Sequence, residues 1–184
     1  MRFKREDLET EAPTGDEVRA YFTPGALLQK RSESIKYLDL SRVSGRRKRT
    51  ILAHLLSRGQ ILVTRSGTIG RVTYVTNVQD GHIGSDDLIR IEIDDEDLRY
   101  YVYAFLKTHL AHDQMMRNEY GTIQQHLEPR HVEDIVVPIP DDPGIIHAIA
   151  QDMRRSIETQ EESHQRETSA LRRLDDAHAS VAPD

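Results

Sequence analysis

A chain of 184 residues with 37% apolar and 30% charged residues is long enough for one folded domain and one appended element. It contains no cysteine, which excludes a disulfide framework, a cysteine-ligated zinc site and a thiol nucleophile. The formal net charge of -6, taken alone, argues against a non-specific DNA-binding protein, because such proteins are usually basic.

No apolar run approaches the roughly 18 to 20 residues of a membrane span. Residues 1–11 carry acidic side chains where a signal peptide needs an apolar stretch. We therefore expect a soluble cytoplasmic protein without a membrane partner.

The first third of the chain combines a charged segment with short predicted elements. Residues 1–23 show little periodicity and are predicted to form an N-terminal arm, with one helical turn over residues 16–21. Residues 35–43 alternate in polarity as a half-buried strand does. Residues 50–57 have apolar side chains at helical spacing, and Gly59 is suited to end that helix as a C-cap.

A pair of strands joined by a glycine-containing corner is the clearest local signal. Residues 61–64 and 71–75 are β-branched and apolar, and the sequence SGTIG at residues 66–70 separates them, which predicts a hairpin or a tight sheet corner. Residues 87–93 alternate between apolar and charged side chains and predict a further strand with one buried face.

Two more elements precede the C-terminal region. Residues 98–116 have apolar side chains near the helical repeat and predict a single helix with a buried face. Residues 135–139 predict a short strand, which Pro138 confines to a sheet edge or a strand end.

The last section predicts one long helix. Asp142 and Pro143 suit its N-cap and first turn, and no residue up to His178 breaks it. Its length would be about 54 Å, which no compact domain of this size needs. Its apolar residues form a narrow stripe with a weak middle, which favours a seam to a partner protein. The stripe consists of Ile146, Ile149, Met153, Ile157, Leu171 and Leu174. The alternative is a partly frayed tail.

Together these elements predict an α+β or α/β fold, in which one mixed-sheet domain precedes a long C-terminal helix. We place the mixed-sheet domain at residues 24–140 and the helical arm at residues 141–180.

Basic residues are concentrated in one window. Residues 42–71 contain eight basic residues and no acidic one, so the window carries +8 and the rest of the chain -14. The eight are Arg42, Arg46, Arg47, Lys48, Arg49, Arg58, Arg65 and Arg71. This segregation predicts a basic surface suited to a polyphosphate such as DNA. The alternative is a solvated basic loop at residues 46–49.

Motifs for catalysis are missing. None of the five lysines follows an acidic residue by two positions, as common metal-dependent nucleases require. No methyltransferase motif is present, and SGTIGR lacks the Gly-Lys-Ser/Thr of a P-loop. We therefore predict no catalytic residue, no bound metal and no cofactor.

Two weaker groups of polar residues remain. His109, His112 and Asp113 are candidate metal ligands, but a solvated helix edge is the simpler interpretation. His126, His131, Glu133 and Asp134 are candidates for an acid-base pair. No nucleophile or phosphate cradle accompanies them, so we interpret them as turn and surface residues.

Five short segments follow one another in order. They are GQILVTRSGTIGRV at residues 59–72, Ser85 with LIRI at 88–91, YAFL at 103–106, YGTIQQHL at 120–127 and IVVPIP at 135–140. Together with the long helix, they resemble a target recognition domain of the DNA-specificity subunits of type I restriction-modification enzymes. The resemblance covers residues 24–175.

The resemblance implies an α/β domain that reads one half of a split site on double-stranded DNA. It also implies a spacer helix that docks DNA methyltransferase subunits, with a restriction subunit as a further partner. The usual specificity subunit has two recognition domains and two spacer helices, whereas this chain has room for one of each. It looks like a half-subunit, and a homodimer through the helices would read a palindromic bipartite site. An excised piece and a split gene stay open as explanations.

Candidate DNA-binding residues come from three segments. Arg65 suits a guanine or a phosphate, and Ser66 and Thr68 suit phosphates. By resemblance, a polar loop approaches the groove with Gln124, Gln125 and His126, and the two glutamines suit adenine. The basic cluster would position the protein on backbone phosphates through Arg46, Arg47, Lys48 and Arg49.

Two other function classes stay open. One is an interaction scaffold in which the long helix is the functional part. The other is a metal-dependent nuclease that uses the histidine and acidic groups.

Overall fold

The computed structural model of the chain describes residues 8–9, 14–28, 35–117 and 126–179. Its strands are β1 (Val18–Phe22), β2 (Lys36–Asp39), β3 (Ile61–Thr64), β4 (Val72–Tyr74), β5 (Ile83–Gly84) and β6 (Leu88–Ile91). Its α-helices are α1 (Pro24–Leu28), α2 (Gly45–Leu52), α3 (Glu96–Leu106), α4 (His109–Met116), α5 (Pro129–Glu133) and α6 (Pro143–Ala179). A short 3-10 helix, Leu40–Arg42, follows β2.

The first sheet has β1 at its centre, between β2 and β5. Strand β1 runs antiparallel to β2 and parallel to β5, so the sheet is mixed. The helical turn predicted over residues 16–21 is wrong, because β1 pairs on both sides and buries Ala20, Tyr21 and Phe22. A central strand of this sheet thus comes from the segment expected to form an N-terminal arm.

The second sheet has β3 at its centre, antiparallel to both β4 and β6. All four residues of β3 are buried, as expected for a central strand covered on both faces. The predicted β3–β4 hairpin and the predicted strand at β6 are confirmed. The α/β fold with a mixed sheet and a long C-terminal helix is confirmed as well, although the strands form two small sheets instead of one.

Helix α2 lies earlier in the chain than predicted, at Gly45–Leu52 instead of residues 50–57. After Leu52, the backbone of residues 54–56 forms hydrogen bonds with the segment around β5. The N–H of Leu56 donates to the carbonyl of His82, and the N–H of Gly84 donates to the carbonyl of His54. A helix cannot continue through residues whose backbone groups bond to another segment. Gly59 is therefore not a C-cap.

The helix predicted over residues 98–116 is two helices, α3 and α4. Thr108 separates them, because its hydroxyl accepts from the N–H of Ala111 (3.3 Å) and donates to the carbonyl of Phe105 (2.7 Å). A short hydroxyl side chain that caps a new helix in this way competes with continuation of the old one.

The strand predicted at residues 135–139 is absent, since this segment pairs with no strand in the part of the chain that the structure describes. The side chain of Gln114 in α4 instead bonds to both backbone groups of Val136 in this segment. Its side-chain amide donates to the carbonyl of Val136 (3.2 Å) and accepts from the N–H of the same residue (2.9 Å).

The largest core cluster lies between the second sheet, α3 and the first half of α6. Tyr74 of β4 stacks on Tyr100 of α3, with ring centroids 5.2 Å apart. The guanidinium of Arg154 in α6 lies over the Tyr100 ring, 5.3 Å from its centroid, and bonds to Glu96 at 3.1 Å. These contacts fix the first half of α6 along α3.

The long helix α6 confirms the prediction of one unbroken element, but the two halves of its apolar stripe differ. Ile146, Ile149, Met153 and Ile157 pack into the protein's own core. Within this chain, α3 and the second sheet cover that face, and the assignment of these four residues to a partner seam stays a prediction. Leu171 and Leu174 are 54% and 55% exposed.

The two halves of α6 meet at a buried carboxylate. Glu161 is 8% exposed, and its carboxylate accepts two bonds from the guanidinium of Arg58, at 2.6 and 3.2 Å. It also accepts from the N–H of Asn77 at 2.8 Å. This bond pattern raises the pKa of Arg58, mainly through the hydrogen bonds to Glu161. Through these bonds, Glu161 joins α6 to the turn before β3, which contains Arg58, and to the turn after β4, which contains Asn77.

His82 lies beside the first sheet and is half-buried. Its Nδ1 accepts from the N–H of Ala20 at 3.2 Å, so that nitrogen carries no proton and the ring is neutral. Burial lowers the pKa of His82, and the nearby charge of Arg19 lowers it further.

Candidate nucleic-acid interface

The corner between β3 and β4 is a closed hydrogen-bonded turn. Gly67 and Gly70 have φ values of +73° and +70°, which glycine adopts without strain. Thr64 and Arg71 close the base of the corner through the bond from the Thr64 N–H to the Arg71 carbonyl, at 2.9 Å. Gly67 and Thr68 at its tip are exposed.

Arg65 opens the corner, and both of its backbone groups are engaged. Its N–H donates to the carbonyl of Asp87 at 2.8 Å, and its carbonyl accepts from the N–H of Leu127 at 3.0 Å. Its Nε is buried and has no acceptor within the described residues. The backbone of Arg65 is therefore held from two sides, whereas Nε of its half-buried side chain is unpaired among the described residues.

The bond from Leu127 brings two predicted DNA-binding segments together. Leu127 is fully buried, and the residue before it, exposed His126, therefore lies next to Arg65. Ser66 follows Arg65 and is half-buried. Gln124 and Gln125, the predicted adenine readers, lie outside the described residues.

Helix α4 supports the corner from beneath. A Cβ added at Gly70 would lie 3.1 Å from Cε of Met116 and 3.4 Å from Cδ2 of His112. The backbone of the corner thus packs closely against side chains of α4, and a side chain at Gly70 would require Met116 to shift.

The predicted basic cluster lies on α2, where Arg46 and Arg49 are exposed. Lys48 instead bonds to Glu17. Helix α2 is anchored through Ile51 in a cluster with residues of the first sheet, whereas the corner belongs to the second sheet. The two basic segments thus stand on different parts of the fold.

Ion pairs neutralise part of the basic window. Besides Lys48, Arg42 pairs with Glu9 at 3.0 Å and with Asp39 at 3.1 Å. Arg58 pairs with buried Glu161. Among the described residues, Arg46, Arg49, Arg65 and Arg71 are the cations of the window without an ion pair, whereas Arg47 has an interaction of its own.

Comparison with protein families identifies the family of this chain. The model of the type I restriction modification DNA specificity domain family matches residues 26–171, from α1 into the second half of α6. The chain belongs to this family. The resemblance seen in its motifs is thereby confirmed, and membership implies DNA binding and association with the subunits of a restriction-modification complex. A comparison with curated proteins finds no match.

The structure places the histidines considered as metal ligands on the surface of α4, and His131 in the N-terminal cap of α5. His109 and His112 are exposed on α4. His131 is used structurally, because its Nδ1 accepts from the N–H of Glu128 at 3.2 Å. Within residues 8–9, 14–28, 35–117 and 126–179, no three His, Cys, Asp or Glu side chains are grouped so as to hold a metal ion. No described helix has the length and apolar composition for a membrane span.

Sequence reasoning missed two polar residues of the specificity domain. Glu161 has a detectable signal, since it follows Ile157 by four residues and so places a carboxylate in an apolar stripe. Thr64 has a weaker one, a hydroxyl at the end of the apolar strand ILVT.

Proposed function

We propose that this specificity domain reads one half of a bipartite DNA site for a type I-like methyltransferase or restriction complex and catalyses no step itself. The observation that carries the proposal is the bond between Arg65 and Leu127, which joins the exposed corner to the segment that contains His126. Binding residues often lie on loops that a rigid scaffold positions, and arginine side chains are suited to base edges in the major groove.

Each part of the interface has a role in this proposal. Arg65 contacts a guanine, Ser66 and Thr68 contact phosphates, and Gln124 and Gln125 read adenine beside His126. On α2, the side chains of Arg46, Arg47 and Arg49 hold backbone phosphates and carry no sequence information. Lys48 contributes after exchanging Glu17 for a phosphate.

We divide the chain in function as well. Residues 24–140 form the recognition domain, and residues 141–180 form the arm. The second half of α6, with exposed Leu171 and Leu174, docks methyltransferase subunits, a restriction subunit or a second copy of the chain. A homodimer would give a palindromic site. The complex would act in the cytoplasm, and no cofactor would bind to this chain.

The decisive experiment is co-expression with a candidate DNA methyltransferase in a host whose genome is then sequenced for modified bases. We expect co-purification of the two proteins and methylation at a bipartite sequence. Methylation that does not depend on this chain would contradict the proposal.

A scaffold function is the second candidate, and the bare second half of α6 favours it. The variant Leu171→Glu with Leu174→Glu separates the two, with Gln165→Glu on the same helix as a control. A DNA-recognition subunit keeps its affinity for DNA in this variant and loses the partner. A scaffold has no DNA affinity to keep.

A further inference from the structure

One residue, Thr64, closes the corner with both its backbone and its side chain. Its carbonyl accepts from the N–H of Gly70 at 2.9 Å, and its N–H donates to the carbonyl of Arg71 at 2.9 Å. Its hydroxyl accepts from the N–H of Arg71 at 3.0 Å and donates to the carbonyl of Thr68. Every polar group of Thr64 is thus used within the corner.

The hydroxyl of Thr64 is buried, since the residue is 3% exposed at the end of an otherwise apolar strand. Burial of a hydroxyl costs free energy unless the hydroxyl is hydrogen-bonded. Valine has nearly the same shape as threonine and would fill this position without that cost. What threonine adds here is a partner for two backbone groups of the corner, the carbonyl of Thr68 and the N–H of Arg71. Without it, neither group has another partner within the described residues.

Thr64 directly precedes Arg65, whose backbone is held by Asp87 and Leu127. These bonds fix where Arg65 starts, and the hydroxyl bonds fix how residues 66–70 return to β4. A side chain that distinguishes bases must be held to about 0.5 Å by its supporting groups. Because threonine is β-branched, its own rotamer is restricted as well.

We propose that Thr64 is a positioning residue for DNA readout, whose buried hydroxyl sets the geometry of the Arg65–Thr68 corner without contacting DNA. This inference rests on the proposed function of the corner. It makes Thr64 responsible for discrimination between sequences and leaves the general attraction to phosphates unaffected.

The test compares three variants of the full chain. Thr64→Val keeps the shape and removes both side-chain bonds, and Thr64→Ser keeps the hydroxyl. Thr76→Val is the matched control, because the Thr76 hydroxyl also bridges a turn, by donating to Gln79 and accepting from the N–H of Val78. That turn follows β4 and bonds to α6 through Asn77 and Glu161. The probes are two 40-base-pair duplexes, one carrying the sequence that wild type selects from a randomised pool and one with the same bases in scrambled order.

We expect Thr64→Val to weaken binding to the selected duplex about tenfold, the effect of removing one or two hydrogen bonds, and to leave the scrambled duplex within about twofold. Thr64→Ser should retain most of the discrimination, and Thr76→Val all of it. Equal affinities of Thr64→Val and wild type for the selected duplex, or equal losses on both duplexes, would overturn the inference.

A second measurement needs no DNA. Amide hydrogen exchange at Arg71 should be about tenfold faster in Thr64→Val than in wild type, and unchanged in Thr76→Val. An unchanged rate at Arg71 would refute the stabilisation of the corner by the Thr64 hydroxyl, whatever the DNA measurements show. If wild type binds no duplex while Arg71 exchanges faster in Thr64→Val, that stabilisation is supported and the proposed DNA-reading function fails.

Discussion

The ion pair between Arg58 and Glu161 predicts an unequal response to loss of its two partners. The Glu161 side chain is 9% exposed and that of Arg58 is 40% exposed. Removing the carboxylate leaves a cation that water can reach. Removing the guanidinium leaves a buried carboxylate with the N–H of Asn77 as its remaining donor among the described residues.

The magnitudes follow from this difference in exposure. Glu161→Gln removes charge-assisted hydrogen bonds but strands no buried charge, so we expect a loss of about 1.5–2.5 kcal/mol in the free energy of unfolding. Arg58→Met keeps the apolar stem and strands the carboxylate, which costs about 3–5 kcal/mol when a buried charge stays unpaired. Adding Glu161→Gln to Arg58→Met should restore part of that loss, because the stranded charge is then gone.

The assay is urea unfolding at pH 7, followed by circular dichroism, for both single variants and the double variant. Glu162→Gln is the control one residue further on, where the pair with Arg166 is exposed on both sides. It should change little. If Glu161→Gln proved more damaging than Arg58→Met, or if the double variant lost the full sum, the argument from stranded charge would be wrong.

Three further predictions concern DNA binding and pH. Arg65→Ala should cost about 1–3 kcal/mol in specific binding and little in non-specific binding, as titration of selected and scrambled duplexes would measure; equal losses would indicate a phosphate contact. Changing Arg46, Arg47 and Arg49 to Ala should weaken binding to all sequences. The slope of log affinity against log salt concentration should become shallower by about 0.9 for each phosphate that is no longer neutralised. An unchanged slope would refute their role. His82 has a lowered pKa in the folded state, so the unfolded chain takes up more protons and stability falls as pH drops below the ordinary value of 6.5. His82→Asn, whose side-chain oxygen can replace Nδ1, should make that fall shallower in urea unfolding between pH 5 and 7.5, and an identical slope would exclude His82 as a cause.

The parts of the site that the sequence predicts are those that depend on near neighbours. The corner follows from two apolar segments around SGTIG, where Gly67 and Gly70 permit the turn whatever the rest of the chain does. Charge counting finds the basic window for the same reason. It does not reveal which cations are neutralised, because three of the acidic partners are distant in sequence. Glu9, Glu17 and Glu161 lie 33, 31 and 103 residues from Arg42, Lys48 and Arg58, and Asp39, which also pairs with Arg42, is the near one among these partners.

Helix α6 demonstrates the same limit on the partner surface. Periodicity identifies the positions that share a face, and Ile157 and Leu174 both satisfy it, but periodicity does not say what covers them. The tyrosine cluster of α3 and β4 covers the first half, so Ile157 stabilises this domain and Leu174 is left exposed. Glu161 marks the change, because a carboxylate in an apolar stripe needs a buried donor, and Arg58 supplies it. The members of this apolar stripe that stay exposed therefore follow Glu161, and they are the two leucines to which we assign subunit docking.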